Sequence, residues 1–147
     1  MKLSTRTTYG LRALLALAQD YGQGSSQLRE IAARQGLPAN YLEQLMVPLR
    51  KAALVSATRG ANGGYTLARA PREVRLDEVI EVLEGPLTLV EPNGGKGCCG
   101  PRERCALCEL WAQASGALVR VFHDVTLEEL LARQQAKKGA GVDMYSI

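Results

Sequence analysis

The sequence predicts a mostly α chain: a winged helix-turn-helix with a small β-hairpin wing, followed by a long dimerisation helix. Three stretches predict it. Gly36-Leu37-Pro38 is a turn opening an amphipathic segment in which Leu42, Leu45, Met46 and Leu49 fall at i, i+3, i+4 and i+7. Gly60-Ala61-Asn62-Gly63-Gly64 joins two short strand-like runs. Leu107, Trp111, Ala114, Leu118, Val121 and Val125 follow one another at spacings of 4, 3, 4, 3 and 4, a heptad seam. Composition agrees, because 46% hydrophobic but only 5% aromatic residues means mostly Ala, Leu and Val, which favours helices over a β sandwich.

Taken in order, Ser4 or Thr5 caps a first helix with Leu11, Leu14, Leu15 and Ala18 on one stripe, ending near Tyr21-Gly22. Ser26 then caps a second helix that buries Leu28, Ile31 and Ala32 and closes at Gly36. Pro38, which has no N–H to leave unpaired, suits the first helical position of the third helix. Two short helices across a tight turn make a helix-turn-helix, although any small helical hairpin has the same pattern. Pro48 frees the carbonyl of Gln44 and is expected to kink or tighten the last turn before Arg50 and Lys51.

The next segment distinguishes the two. Val55 to Arg59 and Tyr65 to Ala68 read as a hairpin whose glycines and Asn62 permit positive φ, which makes it a wing. The Gly-rich tip is a poor phosphate loop, since no Lys-Ser/Thr follows it and no helix opens from it. Leu76 to Leu83 forms a fourth helix stopped by Gly85-Pro86, expected to pack back on the first. The heptad helix starts at Cys105 and, with Leu110 and Ala117 as a second apolar flank, needs more than one neighbour. A second subunit satisfies that need, although a monomeric core helix carries the same signature. Thr126 caps a last helix, Leu127 to Gln135. The expected organisation is a DNA-binding domain over 1–85, a cysteine loop over 86–104, the dimerisation and C-terminal helices over 105–136, and a loose polar tail over 137–147.

Charge separates the two halves. Residues 1–72 hold ten Lys/Arg against three Asp/Glu, a net of +7, and residues 73–147 hold eight against twelve, a net of −4. The basic half is the candidate for a polyanion such as double-stranded DNA. Asn40, Tyr41, Glu43 and Gln44 face outward from the first turns of the third helix, where a carboxylate can accept from cytosine and an amide can bracket adenine. Arg50 and Lys51 suit phosphates, and Arg59 on the wing suits phosphate or the narrow minor groove. No acid/base pair and no nucleophile with a base stands out, so the chain is read as not an enzyme. No run approaches membrane-spanning length and no signal peptide is present, so it is read as cytoplasmic, with no membrane partner.

All four cysteines, Cys98, Cys99, Cys105 and Cys108, fall within eleven residues. In a reducing compartment such clustering points to metal or redox chemistry rather than to a disulfide framework. Thiolates are the ligands that iron-sulfur clusters and zinc prefer, and Cys105 and Cys108, three apart at a helix start, can face one ion. Adjacent Cys98 and Cys99 are harder to use together. A cluster, a zinc ion and redox-reactive thiols all stay open, and His123 is read as an ordinary polar position on the long helix.

Tyr41-Leu42-Glu43-Gln44-Leu45, Leu49-Arg50-Lys51, Leu54-Val55, Arg59-Gly60 and Gly63-Gly64-Tyr65 closely resemble the Rrf-type family of bacterial winged-helix transcriptional regulators, typified by the iron-sulfur cluster regulator IscR. Leu3-Ser4-Thr5 with Tyr9, and Cys105 through Trp111, are similar too, so the resemblance spans most of residues 1–135. It implies a homodimeric, sequence-specific DNA-binding regulator whose cysteine loop carries an iron-sulfur cluster, of the [2Fe-2S] kind, in many members. Against that pattern Cys99 and Cys105 fit the second and third cysteine places, Cys108 stands where a histidine is expected, and Asn93 stands where the first cysteine would be. Cys98 is then the candidate for the missing ligand. The alternatives are a cluster-free or zinc-binding regulator of the same fold and, further off, an interaction module that does not bind DNA.

Overall fold

The computed structural model describes residues 2–90 and 106–145, the stretch 140–145 by backbone alone. Cys98, Cys99, Cys105 and Asn93 lie outside the described residues. Within them the chain forms α1 (Thr5–Gln19), α2 (Leu28–Gln35), α3 (Ala39–Lys51), a hairpin of β1 (Val55–Thr58) and β2 (Gly64–Leu67), then α4 (Leu76–Glu84), α5 (Ala106–His123) and α6 (Leu127–Tyr145). This is the mostly α, winged helix-turn-helix architecture that the sequence predicts.

The stripe of α3 is buried as its period requires: Leu42, Leu45, Met46 and Leu49 are each at most 1% exposed. They meet Leu14 and Leu17 of α1, Ile31 of α2, Leu54, and Val79 and Ile80 of α4 in one core. Each such side chain contributes roughly 1.5–3 kcal/mol by leaving water, so this layer dominates the stability of the head. α4 packs on α1 as expected. The backbone of Gly10 lies against Leu83, where an added Cβ would come within 2.3 Å of the Leu83 Cδ1.

α1 ends at Gln19 with Asp20 as its cap, a little before Tyr21-Gly22. Its first turn carries no acidic residue of its own. Glu84, the last residue of α4, takes that place: its carboxylate accepts from the Ser4 N–H (3.2 Å), the Ser4 hydroxyl (2.7 Å) and the Thr7 hydroxyl. A negative charge there answers the positive end of the helix.

Ser26 does not cap α2; Gln27 does. Ser26 is buried and otherwise engaged, its hydroxyl donating to Asp20 (2.8 Å) and its backbone pairing both ways with Tyr65, N–H to O at 2.9 and 2.8 Å. It therefore acts as a one-residue third strand on the hairpin. Gly36 takes the left-handed conformation (φ 64°) expected at a helix end, and the Leu37 N–H closes onto the Ala32 carbonyl at 2.9 Å. Pro38 is the cap residue of α3 rather than its first helical residue, and α3 runs through Pro48 to Lys51.

At the other end of the molecule a short pairing joins head to arm. The Leu76 N–H donates to the Val125 carbonyl (3.0 Å) and the Leu127 N–H to the Val74 carbonyl (2.8 Å), with Leu127 fully buried between them. α6 continues to Tyr145, well past Gln135, so the tail expected to be loose from Lys137 is helical as far as Tyr145. Lys and Ala are good helix formers and no proline intervenes. Gly139 and Gly141 each cost about 1 kcal/mol, too little to end the helix. No helix among the described residues is long and apolar enough to cross a membrane.

Candidate nucleic-acid interface

The outer face of α3 presents Asn40, Glu43 and Gln44 to solvent. Tyr41 differs from the sequence expectation: it is half-buried, its ring set edge-on to Tyr9 of α1 at 5.7 Å between centroids and 84° between planes. The ring anchors the first turn of α3 to the scaffold, which leaves the hydroxyl as its polar tip.

β1 and β2 pair antiparallel, Val55 with Leu67 through Thr58 with Gly64. Val55 and Leu67 root the hairpin in the core, while Ser56, Ala57 and Thr58 stand exposed. The turn is built by backbone crowding. A Cβ on Gly63 would lie 2.3 Å from the Thr58 carbonyl oxygen, and one on Gly64 would lie 2.4 Å from that of Ser26. The two glycines thus let the wing close on itself and dock against Ser26, which holds Arg59 at the exposed tip.

Between α3, the start of α2 and the wing runs a groove of about 430 Å³, lined among others by Arg29, Glu43, Arg50, Arg59 and Tyr65. The structure thus brings Glu43, Arg50 and Arg59 together, while Asn40, Gln44 and Lys51 stand exposed on the same helix outside the groove. Arg29 was missed from sequence. Arg29 falls in the first turn of α2 at the groove's edge, and its only sequence signal is a basic residue next to the start of that helix. Arg34 and Arg69 are tied to Asp20 and Glu78 at 2.6 and 2.5 Å. Arg29, Arg50, Lys51 and Arg59, by contrast, form no ion pair among the described residues. Their charge is available to an outside anion.

The Asp20 carboxyl, which supports this face from behind, is held below the usual carboxylate range by its hydrogen bond from Arg34, partly opposed by burial and reinforced by Ser26.

Leu89 is tied to α5. The Leu89 N–H donates to the Ser115 hydroxyl (3.0 Å), which in turn donates to the Trp111 carbonyl (2.8 Å). Leu89 is therefore held against the third turn of the helix that starts at Ala106. Cys108 sits in the first turn of α5, half-buried, with its sulfur in a disulfide. His123 pairs with Asp77 at 2.8 Å, as suits a polar position rather than a ligand. Among the described residues no three His, Cys, Asp or Glu converge on a metal position. Four cysteines close in sequence, once reduced, supply donors of the softness and number that a cluster or zinc takes.

Of the heptad seam, Ala114, Leu118 and Val125 are half-buried. Leu107 (53%), Trp111 (37%) and Val121 (61%) remain exposed, as do Leu110 on the flank and Leu89 and Val90 beside it.

Comparison with known proteins agrees with this geometry. A family model described as Rrf2, iron-dependent transcriptional regulator, matches residues 3–133. The regulator CymR of Bacillus subtilis is 39% identical over 140 residues, covering 95% of this chain and 96% of that one. Its solved structure, described as that of the global cysteine regulator, superposes with a TM-score of 0.78 over 90% of this chain and 98% of its own. The T. potens IscR structure is 38% identical, with a TM-score of 0.75 over 91% of this chain and 88% of that one. Protein rrf2 of Nitratidesulfovibrio vulgaris is 36% identical over 131 residues, covering 89% and 87%.

Proposed function

The chain belongs to the Rrf2 family of transcriptional regulators, and from that premise we propose that it works as a homodimer that reads DNA with α3 and the wing and is modulated through its four cysteines. The observation that carries the DNA reading is the groove between α3 and the wing, lined by Glu43 and by Arg29, Arg50 and Arg59, none of which forms an ion pair among the described residues. Glu43 and Gln44, with Asn40 nearby, reach base edges from the exposed face of α3, and the arginines with Lys51 hold the phosphates or, for Arg59, the minor groove. The test is a salt titration on operator and on random duplex. Each phosphate neutralised contributes a slope of about −0.9 in log affinity against log salt, so four cations per subunit give a steep dependence that Arg29→Ala and Lys51→Ala each flatten by roughly one. A salt-independent interaction would refute the reading.

The exposed apolar side of α5 supports the homodimer. Leu107, Leu110, Trp111 and Val121 are more apolar surface than one helix leaves bare without a partner. A second α5 fits that seam, and a two-fold then sets the two heads on half-sites about 34 Å apart or a multiple of it.

For the cysteines the reading is an iron-sulfur cluster, of the [2Fe-2S] kind, held by reduced Cys99, Cys105, Cys108 and Cys98. Bound there, a cluster would supply a redox- and oxygen-sensitive group. The chain's own part is to tie the loop to α5, through Cys108 at one end and the Leu89–Ser115 bond at the other. Zinc at the same thiols, or thiol oxidation without metal, are the competing readings, and the likeness to CymR favours the latter. Anaerobic purification with reductant, followed by absorption spectroscopy and iron, sulfide and zinc analysis, separates the three. DNA affinity identical in the metal-loaded, stripped and oxidised forms would remove the sensing role altogether.

A further inference from the structure

The face of α6 that follows α1 changes character along its length. Leu131, Gln134, Gln135 and Lys138 lie at i, i+3, i+4 and i+7, so they share one side of the helix. Leu130 and Leu131 still pack against the core. One turn later the same side offers two amides and an ammonium, residues that do not close a helix pair by apolar packing. Between α1, the end of α2 and this stretch of α6 the structure leaves a groove of about 420 Å³. Its remaining lining is Arg12, Leu15, Gln19, Arg34 and Gln35.

The lining of the groove carries a net positive charge. Three of its residues are cations, four are amides and none is an acid. Arg34 is largely neutralised by Asp20, which takes both of its terminal nitrogens at 3.2 and 2.6 Å. Arg12 is not. It is half-buried, and its hydrogen-bond partner is the main-chain carbonyl of Gln35, which accepts the hydrogen bond but carries no charge. Neither Arg12 nor Lys138 forms an ion pair among the described residues. A half-buried guanidinium in a concave site, with donor-rich amides around it and leucine on its floor, is the arrangement that takes an oxyanion.

We infer that the groove between α1 and α6 is a binding site for a small oxyanionic metabolite, its carboxylate or phosphate held by Arg12 and Lys138 and its polar remainder by Gln19, Gln134 and Gln135. The volume suits a small molecule and not a macromolecule. The site touches both working parts of the chain. Arg34 and Gln35 end the helix just before the Gly36 turn into α3, and α6 belongs to the arm beyond α5. A ligand there bridges head and arm, separately from the DNA face and from the cysteines.

The test is made without DNA, so that it does not depend on the reading of α3. Inorganic phosphate and succinate are titrated into the full-length protein by calorimetry at constant ionic strength, alongside Arg12→Gln, Lys138→Gln and Gln134→Leu. Arg133→Ala serves as the control, because Arg133 lies on α6 outside the groove and is paired with Glu129. Saturable binding of either probe, weakened at least about tenfold by Arg12→Gln and by Lys138→Gln and unchanged in Arg133→Ala, is the expected result, and the stronger probe identifies the anion. Lys138 and Gln134 are exposed, so their variants keep the question answerable if Arg12→Gln disturbs the end of α2. No saturable binding of either probe, or binding that Lys138→Gln and Gln134→Leu leave intact, would overturn the assignment.

Discussion

Tyr9 of α1 holds Tyr41 of the reading helix edge-on, with ring centres 5.7 Å apart. The contact fixes the first turn of α3, from which Asn40, Glu43 and Gln44 project, to a helix that belongs to the core. Such a pair contributes about 0.5–1.5 kcal/mol beyond the area it buries. Tyr9→Ala should therefore lower unfolding stability by about 1–3 kcal/mol in urea titrations and weaken operator binding, although Tyr9 is not itself on the outward face of α3. Tyr9→Phe keeps the ring and should remain near the parent in both. Operator affinity unchanged by Tyr9→Ala would show that the reading helix needs no such anchor.

Specificity and affinity should separate by residue. On the proposed reading, Glu43→Ala and Gln44→Ala should change which operator is preferred, since these are the side chains assigned to base edges. Lys51→Ala and Arg29→Ala weaken all duplexes alike. Competition between operator variants gives the comparison, with each lost base contact shifting preference by about 1–3 kcal/mol. Uniform weakening by Gln44→Ala would move Gln44 to the phosphate group.

Most of the head was legible from periodicity, because Leu42, Leu45, Met46 and Leu49 can share a face in one way only, and because Gly36 and the Gly63-Gly64 pair mark turns that other residues resist. What escaped were tertiary choices between equivalent local signals. Ser26 has the side chain of a helix cap, yet its backbone is claimed by Tyr65 and its hydroxyl by Asp20. That displacement moved the start of α2 by one residue. Tyr41 sat on the polar side of the pattern, but a tyrosine has a second, apolar surface, and only the position of Tyr9 decides which one is used. The length of α6 was underread because its polar residues, facing a groove instead of a core, look like a tail.

Ala53 ends the reading helix with a left-handed backbone, φ 58°, the one residue other than glycine to do so among those described. Its N–H closes on the Arg50 carbonyl, and that of Leu54 on Leu49, both at 3.0 Å. This is the position where helices ordinarily place glycine, since a Cβ there costs about 1–2 kcal/mol. Ala53→Gly should raise stability by about 0.5–1 kcal/mol, measured as a higher urea midpoint at unchanged slope. A loss of stability would mean that the methyl makes packing contacts outweighing the strain.

Glu84 links stability to pH. The hydrogen bonds from Thr7 and then Ser4 hold its carboxyl below the usual glutamate range, opposed by burial. A carboxyl depressed in the folded state stabilises the fold fully above its unfolded pKa, and the contribution disappears as pH falls through the folded value. Glu84→Gln should thus be less stable than the parent at neutral pH, and the gap should narrow through the acid range below about 4.5. A gap of constant size from neutral to acid would assign the loss to altered packing of the amide and not to the charge.

The last prediction concerns assembly, and Val121 is the residue to change. Leu118 lies on the same seam but is half-buried within its own subunit, so a charge there would confuse unfolding with dissociation. Val121 is 61% exposed, and an aspartate there meets water in the single chain. Against a second α5 the same aspartate would be desolvated among Leu107, Trp111 and their counterparts, which costs several kcal/mol for an unpaired charge. Val121→Asp should therefore sediment as a monomer with near-parent helicity, while the parent sediments as a dimer at micromolar concentration. Operator binding should fall with it, because a monomer engages one half-site and loses the effective concentration of the second head. A parent protein that is itself monomeric under those conditions would rule out α5 as the subunit contact.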